Sequence, residues 1–267
     1  MEPIDMETID METIGMETID METIGMETVG METIDMENET TDITAAMAAN
    51  VLLFGLMGKI FYSYPDFEWI HGLITEGVFE DIPGAGLIPE TSGGQDLLLQ
   101  WSKENSGGLS KELFSDLEVD YVRLFISGND SVQAPPWESV FVNADPTLFQ
   151  GSTMHVRSWY RRFGLEAENL HHEPDDHIGL EFAFISHLCS IALDYANTSD
   201  EVMFNKTVAD LTEFTTHHVF RWGLRWCDLV IEKAKTKFYR GAALFSKGIL
   251  INLAATLKVD IKTSVYR

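Results

Sequence analysis

The chain is poor in cysteine and in positive charge, and both shortages narrow its function. Two cysteines among 267 residues, Cys189 and Cys227, cannot staple a secreted fold and have no metal-ligand spacing. Free thiols of this kind fit a reducing compartment. Lys and Arg number 18 against 43 Asp and Glu, for a formal net charge of −25. So acidic a chain is repelled by phosphate backbones, which excludes general nucleic-acid binding. No G-x-S-x-G elbow is present, and Gly84-Ala85-Gly86 lacks the third glycine and the preceding strand of a dinucleotide fingerprint. The N-terminus carries no basic residues ahead of an apolar run, so a signal peptide is not expected. Ile43–Gly58, uncharged but short of the roughly 20 residues of a membrane span, reads as a buried helix, and stable membrane insertion is not expected.

The charge is distributed unevenly. Residues 1–40 hold 13 acids and no base, residues 41–220 carry a net −19, and residues 221–267 a net +7. The first forty residues are eight pentads, from Met1-Glu2-Pro3-Ile4-Asp5 to a degenerate Met36–Thr40. Five residues advance a helix by roughly 500°, so successive isoleucines leave any one face. On a strand the same period alternates them between faces. Such a tract is expected to be a disordered tail. It reads either as an acidic interaction tail or as a duplication tract with no specific role.

From residue 41 the apolar spacing is helical, and residues 41–267 are expected to form one compact all-α domain of roughly eight to ten helices. Thr41, Asp42 or Thr44 is placed to cap a helix over Ala45–Tyr62. Asp81–Gln95, with six Pro and Gly residues, is expected as a loop, as are Asn105–Gly108 and Ser127–Pro136. Lys111–Ile126 predicts a helix in which Tyr121, Leu124 and Phe125 share a face, with Phe125-Ile126 alternatively opening a strand. Further helices are predicted over Thr153–Phe163, Thr207–Phe238 and Gly241–Leu257. Glu173-Pro174-Asp175-Asp176-His177 opens another, with Pro174 in its first turn and its acids at the positive end of the helix dipole. The basic run of Lys233, Lys235, Lys237 and Arg240 reads as a solvated helix face.

The densest polar cluster is His171-His172-Glu173-Pro174-Asp175-Asp176-His177, with Glu181 one turn on. His171, His172, Asp176, His177 and Glu181 are ligand types for zinc or iron, which gives one reading as a helical metal-dependent enzyme. A second has the acids capping the helix start. A third has Asp176 and His177 engaging a cationic peptide. Ser158-Trp159-Tyr160-Arg161-Arg162-Phe163 mimics a twin-arginine export signal, but it is internal and lacks the apolar run that follows one. Of His217-His218, inside a predicted helix, one is expected to face solvent and one to pack.

Taken together, Tyr121–Phe125, Pro135-Pro136-Trp137-Glu138-Ser139-Val140-Phe141, Tyr160–Gly164 and Glu173–His177 running into Gly179-Leu180-Glu181-Phe182 resemble the TorD/DmsD-type cytoplasmic chaperones of molybdoenzymes. The shared pattern is an aromatic-x-x-Leu-Phe segment, a proline-rich turn ending in an aromatic residue, and an E-P-x-D-H helix start. The resemblance covers roughly residues 45–250 and leaves the pentads out. It implies a non-enzymatic, all-α, cytoplasmic protein without a cofactor of its own, a monomer or a helix-exchanged dimer. Its implied partners are a twin-arginine leader and the immature oxidoreductase of the dimethyl sulfoxide reductase class that bears it. It places leader binding at Glu173, Pro174, Asp176 and His177, apolar partner contacts at Tyr121, Leu124 and Phe125, and the turn at Pro136, Trp137, Glu138 and Ser139.

Overall fold

The computed structural model describes residues 16–18, 35–126, 132–142, 151–167 and 174–261. Ten α-helices run through these residues: α1 (Asp35–Tyr62), α2 (Phe67–Thr75), α3 (Pro89–Glu104), α4 (Lys111–Tyr121), α5 (Glu138–Val142), α6 (Gly151–Arg162), α7 (Ile178–Asn197), α8 (Glu201–His217), α9 (Val219–Lys233) and α10 (Lys237–Thr256). A π-helical turn, Val122–Ile126, continues α4. Two short strands, β1 (Met16–Thr18) and β2 (Leu165–Ala167), pair antiparallel with Glu17 opposite Glu166. The expected all-α class holds. The disorder expected of the pentad tract concerns residues that lie mostly outside the described ones.

Contacts divide the chain into two compact units. The first is Met1–Tyr62 with Leu148–Phe214; the second is Ser63–Thr147 with Thr215–Arg267. In the first, α1 packs along α7. A Cβ on Gly58 would lie 3.0 Å from the Gly179 carbonyl oxygen, and one on Gly179 would lie 2.6 Å from Tyr62 Cβ. The absence of side chains at these two positions is what lets the helices cross so closely. Phe182 of α7 fills the seam between Phe54 and Phe61, with ring centroids 5.3 and 6.4 Å away. Ile43–Tyr62 and Ile178–Asn197 are each long and apolar enough to cross a membrane by length and composition. The first runs four residues past the Ile43–Gly58 segment expected from sequence, because a lone Lys59 does not interrupt its apolar character.

In the second unit α10 lies between α3 and α9. Its N-cap is Thr236, whose hydroxyl accepts the Tyr239 N–H, as Ser110 caps α4 and Asp66 caps α2.

Three boundaries differ from expectation. The first helix begins at Asp35, inside the last pentads, rather than near Thr41. The Asp81–Gln95 loop ends early because Pro89 opens α3, where its missing N–H costs nothing. The long stretch over Thr207–Phe238 is broken at His218 and again before Lys237. His217 is exposed at the end of α8, whereas His218 is buried at the break.

Candidate functional site

In the first unit, Thr153, Arg157 and Tyr160 recur at four and three along α6, so one helix face presents three polar groups to the turn before α7. The Thr153 hydroxyl donates to Asp176 Oδ1 at 2.8 Å. Arg157 donates from Nε and Nη2 to Asp175 Oδ2, at 3.0 and 2.6 Å. The Tyr160 hydroxyl donates to the Asp175 carbonyl at 3.0 Å. His177 then caps α7: its Nδ1 accepts the Gly179 N–H at 3.0 Å, and the Tyr62 ring meets its imidazole edge-on at 5.2 Å.

Asp175, Asp176 and His177 are all buried. Burial pushes the His177 pKa down to about 3, so the ring is neutral and Nδ1 can act as an acceptor. The hydrogen bonds that Arg157 donates to Asp175 hold its pKa above the usual value. A carboxylate in so dry a turn requires a charged partner, and Arg157 supplies it.

This corrects two expectations about the E-P-D-D-H element. Pro174 lies ahead of the turn rather than in the first turn of α7, and an imidazole rather than Asp175 or Asp176 caps the helix. The turn gives each carboxylate a partner on α6, Thr153 for Asp176 and Arg157 for Asp175. His171, His172 and Glu173 lie outside the described residues. Among the described residues no three His, Cys, Asp or Glu side chains are grouped to hold a metal ion.

In the second unit, Tyr121, Leu124 and Phe125 are buried together, as their spacing predicts, but across a π turn rather than a continuous α-helix or a strand. The turn leaves its last carbonyls without helical donors. Gln133 and Ala134 fill that need, donating to the Arg123 and Leu124 carbonyls at 3.2 and 2.8 Å. The Trp226 indole N–H adds a bond to the Ala134 carbonyl at 3.3 Å. These bonds join the aromatic segment to the Pro135-Pro136-Trp137 turn.

Asp120 fixes the same segment from behind. Its Oδ2 accepts from the Lys235 and Thr236 N–H groups and the Thr236 hydroxyl, at 2.9, 2.8 and 2.9 Å. Its Oδ1 pairs with Arg123 at 2.6 Å.

Trp137 is half-buried, and Pro136, Glu138 and Ser139 are buried. Glu138 Oε2 lies 2.7 Å from His218 Nδ1, and Arg221 approaches Oε1 at 3.8 Å. Behind it, Phe141 packs on Trp222 at 5.3 Å.

The residues singled out from sequence therefore fall into two constellations. The aromatic segment and the turn are built together in one unit, and Asp176 with His177 stands in the other. Their supports Thr153, Arg157, Asp120 and His218 went unassigned. Each is an ordinary polar residue on an amphipathic helix or at its end, and its partner lies far away in the chain.

The sequence profile of the nitrate reductase delta subunit family matches residues 98–228. The Tat proofreading chaperone DmsD of Salmonella typhimurium is 27% identical over 139 residues, which is 52% of this chain and 61% of that protein. The match therefore spans about three-fifths of that relative's length. The chaperone protein TorD of Aliivibrio fischeri is 25% identical over 174 residues, covering 65% of this chain and 75% of that one. Among solved structures, a putative redox enzyme maturation protein from Archaeoglobus fulgidus superposes with a TM-score of 0.44 at 22% identity, over 77% of this chain and 93% of that one.

Proposed function

We propose that this chain, which is similar in sequence to DmsD and TorD, binds the twin-arginine leader of a molybdenum-dependent oxidoreductase of the dimethyl sulfoxide reductase class. In this reading it works in the cytoplasm as a binding protein rather than an enzyme, and holds its immature client until the cofactor is in place. One observation carries the proposal: the family match over residues 98–228 encloses the aromatic segment, the Pro-Pro-Trp turn and the Asp-His turn.

The motif side chains act mostly as supports. Buried Tyr121, Leu124, Phe125, Pro136, Glu138 and Ser139 hold the surface that carries half-exposed Trp137. Buried Asp176 and His177 hold the start of α7. Glu173 and Pro174 belong to the same leader-binding element. A cationic leader with an apolar helix suits an acidic protein bearing exposed apolar side chains such as Val119 and Ile126.

Titration calorimetry tests the reading, using the full chain and a synthetic leader with an Arg-Arg pair and its apolar run. Saturable binding that weakens at least tenfold when the pair becomes Lys-Lys is the expected result, because a point charge cannot replace a planar fork. Equal affinity for both peptides, or no binding of either, overturns it.

A further inference from the structure

The internal Arg-Arg-Phe stretch ends α6, and each of its side chains is engaged within the first unit. Arg161 pairs with Glu166 of β2 at 2.7 Å. Arg162 pairs with Asp210 of α8, and its guanidinium lies 4.4 Å from the Trp159 ring centroid and 5.6 Å from that of Phe163. Phe163 stacks on Trp159 at 6.5 Å and meets Phe184 edge-on at 5.5 Å. Two carboxylates and an aromatic platform thus receive two successive arginines and a phenylalanine.

Exposure separates these pairs from the Arg157–Asp175 pair nearby. The Arg161 and Arg162 side chains are 53% and 46% exposed, against 9% for Arg157. A buried guanidinium cannot leave without stranding a charge. A half-exposed one is already solvated and parts from its acid at little cost. Asp210 itself is buried and pairs with Arg162. Replacing one guanidinium by another leaves that carboxylate paired in both the resting and the bound state.

We propose that Glu166 and Asp210, backed by Trp159, form a seat for paired arginines of a peptide ligand, held in the resting chain by Arg161 and Arg162 as a resident pseudo-ligand. The inference rests on the leader-binding reading above and adds both a site and a restraint to it. An incoming Arg-Arg pair takes the seat by exchange, with no net change in the number of ion pairs. The resident pair lowers the apparent affinity by the fraction of time the seat is closed.

Calorimetry with the full-length chain and the same Arg-Arg leader peptide decides it. R161Q/R162Q frees the seat, and affinity is expected to rise by about tenfold if the resident pair holds it nine-tenths of the time. D210N is expected to weaken binding and to cancel that gain in the triple variant. Should D210N fail to fold, as a thermal melt would show, half-exposed Glu166 offers E166Q as the second test, with the same direction expected. Unchanged or weaker affinity in R161Q/R162Q, with leader still bound by the unmodified chain, overturns the resident-ligand inference alone. Absence of binding by both the unmodified chain and R161Q/R162Q overturns the leader-binding reading with it.

Discussion

His177 shows how one side chain can be picked out by a motif yet serve a purpose the motif does not state. Its ring nitrogen caps α7, which requires the neutral form. Burial lowers its pKa to about 3, and that of His187 to about 4, from an ordinary 6.5. Between those values and 6.5 the unfolded chain binds protons that the folded chain refuses. Stability is therefore full above pH 6.5 and is lost as pH falls toward 4. For His177 alone the loss reaches about 2–3 kcal/mol by pH 4.5. His177→Asn keeps a capping acceptor and removes the titrating ring. Urea unfolding should show it weaker by about 1 kcal/mol at pH 7, from the lost edge-on contact with Tyr62, with a smaller drop between pH 7 and 4.5 than the unmodified chain. An undiminished drop would mean that the ring is protonated in the folded state. The E-P-D-D-H spelling revealed that this turn matters. It could not reveal burial, because Thr153 and Arg157 lie 23 and 18 residues before the carboxylates they hold.

At the scale of elements, what was legible was whatever repeats every three or four residues. Tyr121, Leu124 and Phe125 share a face by their spacing, and all three are buried. Glycine was the misleading signal. Gly93 and Gly94 look like a loop from sequence but lie within α3, where closeness to α10 is the reason for the missing side chain. A Cβ on Gly94 would lie 2.4 Å from the Phe245 amide nitrogen, and one on Gly248 would lie 2.5 Å from Thr91 Cγ2. Gly94→Ala gains about 1 kcal/mol of helix propensity, but backbone cannot yield to a contact that short, and overpacking costs about 1–3 kcal/mol. Chemical denaturation should find Gly94→Ala destabilised. Gly72→Ala in α2, where a Cβ meets nothing within 4 Å, should be neutral or slightly stabilised. If the two variants behave alike, the α3–α10 approach is looser than described. The π turn after Tyr121 was not legible either, since its carbonyls are satisfied by Gln133 and Ala134 from a later segment.

The whole molecule is organised by features that composition shows only partly. The chain passes between its two units after Tyr62, after Thr147 and after Phe214. The last of these points lies inside α8, so no linker composition marks it. Net charge, by contrast, is plain in the sequence and has a physical consequence of its own. A net −25 draws a cationic peptide inward over distances set by the Debye length, about 10 Å at 0.1 M salt. The basic run from the end of α9 into α10 is already counted in that total, with Lys233 paired to Glu232 and Lys237 to Glu104. Steering of this kind acts on encounter, whereas apolar contacts set the rate of escape. Stopped-flow measurements with the Arg-Arg leader should therefore show association slowing by about tenfold between low and 0.5 M salt, with dissociation changing much less. Replacing the 13 acids of residues 1–40 by their amides separates the tract from the rest of the chain. Slower association in that variant at low salt alone would make the pentads part of the attracting field. Association that ignores salt in both chains would assign capture to the apolar contacts and leave the acidic surface a role in solubility only.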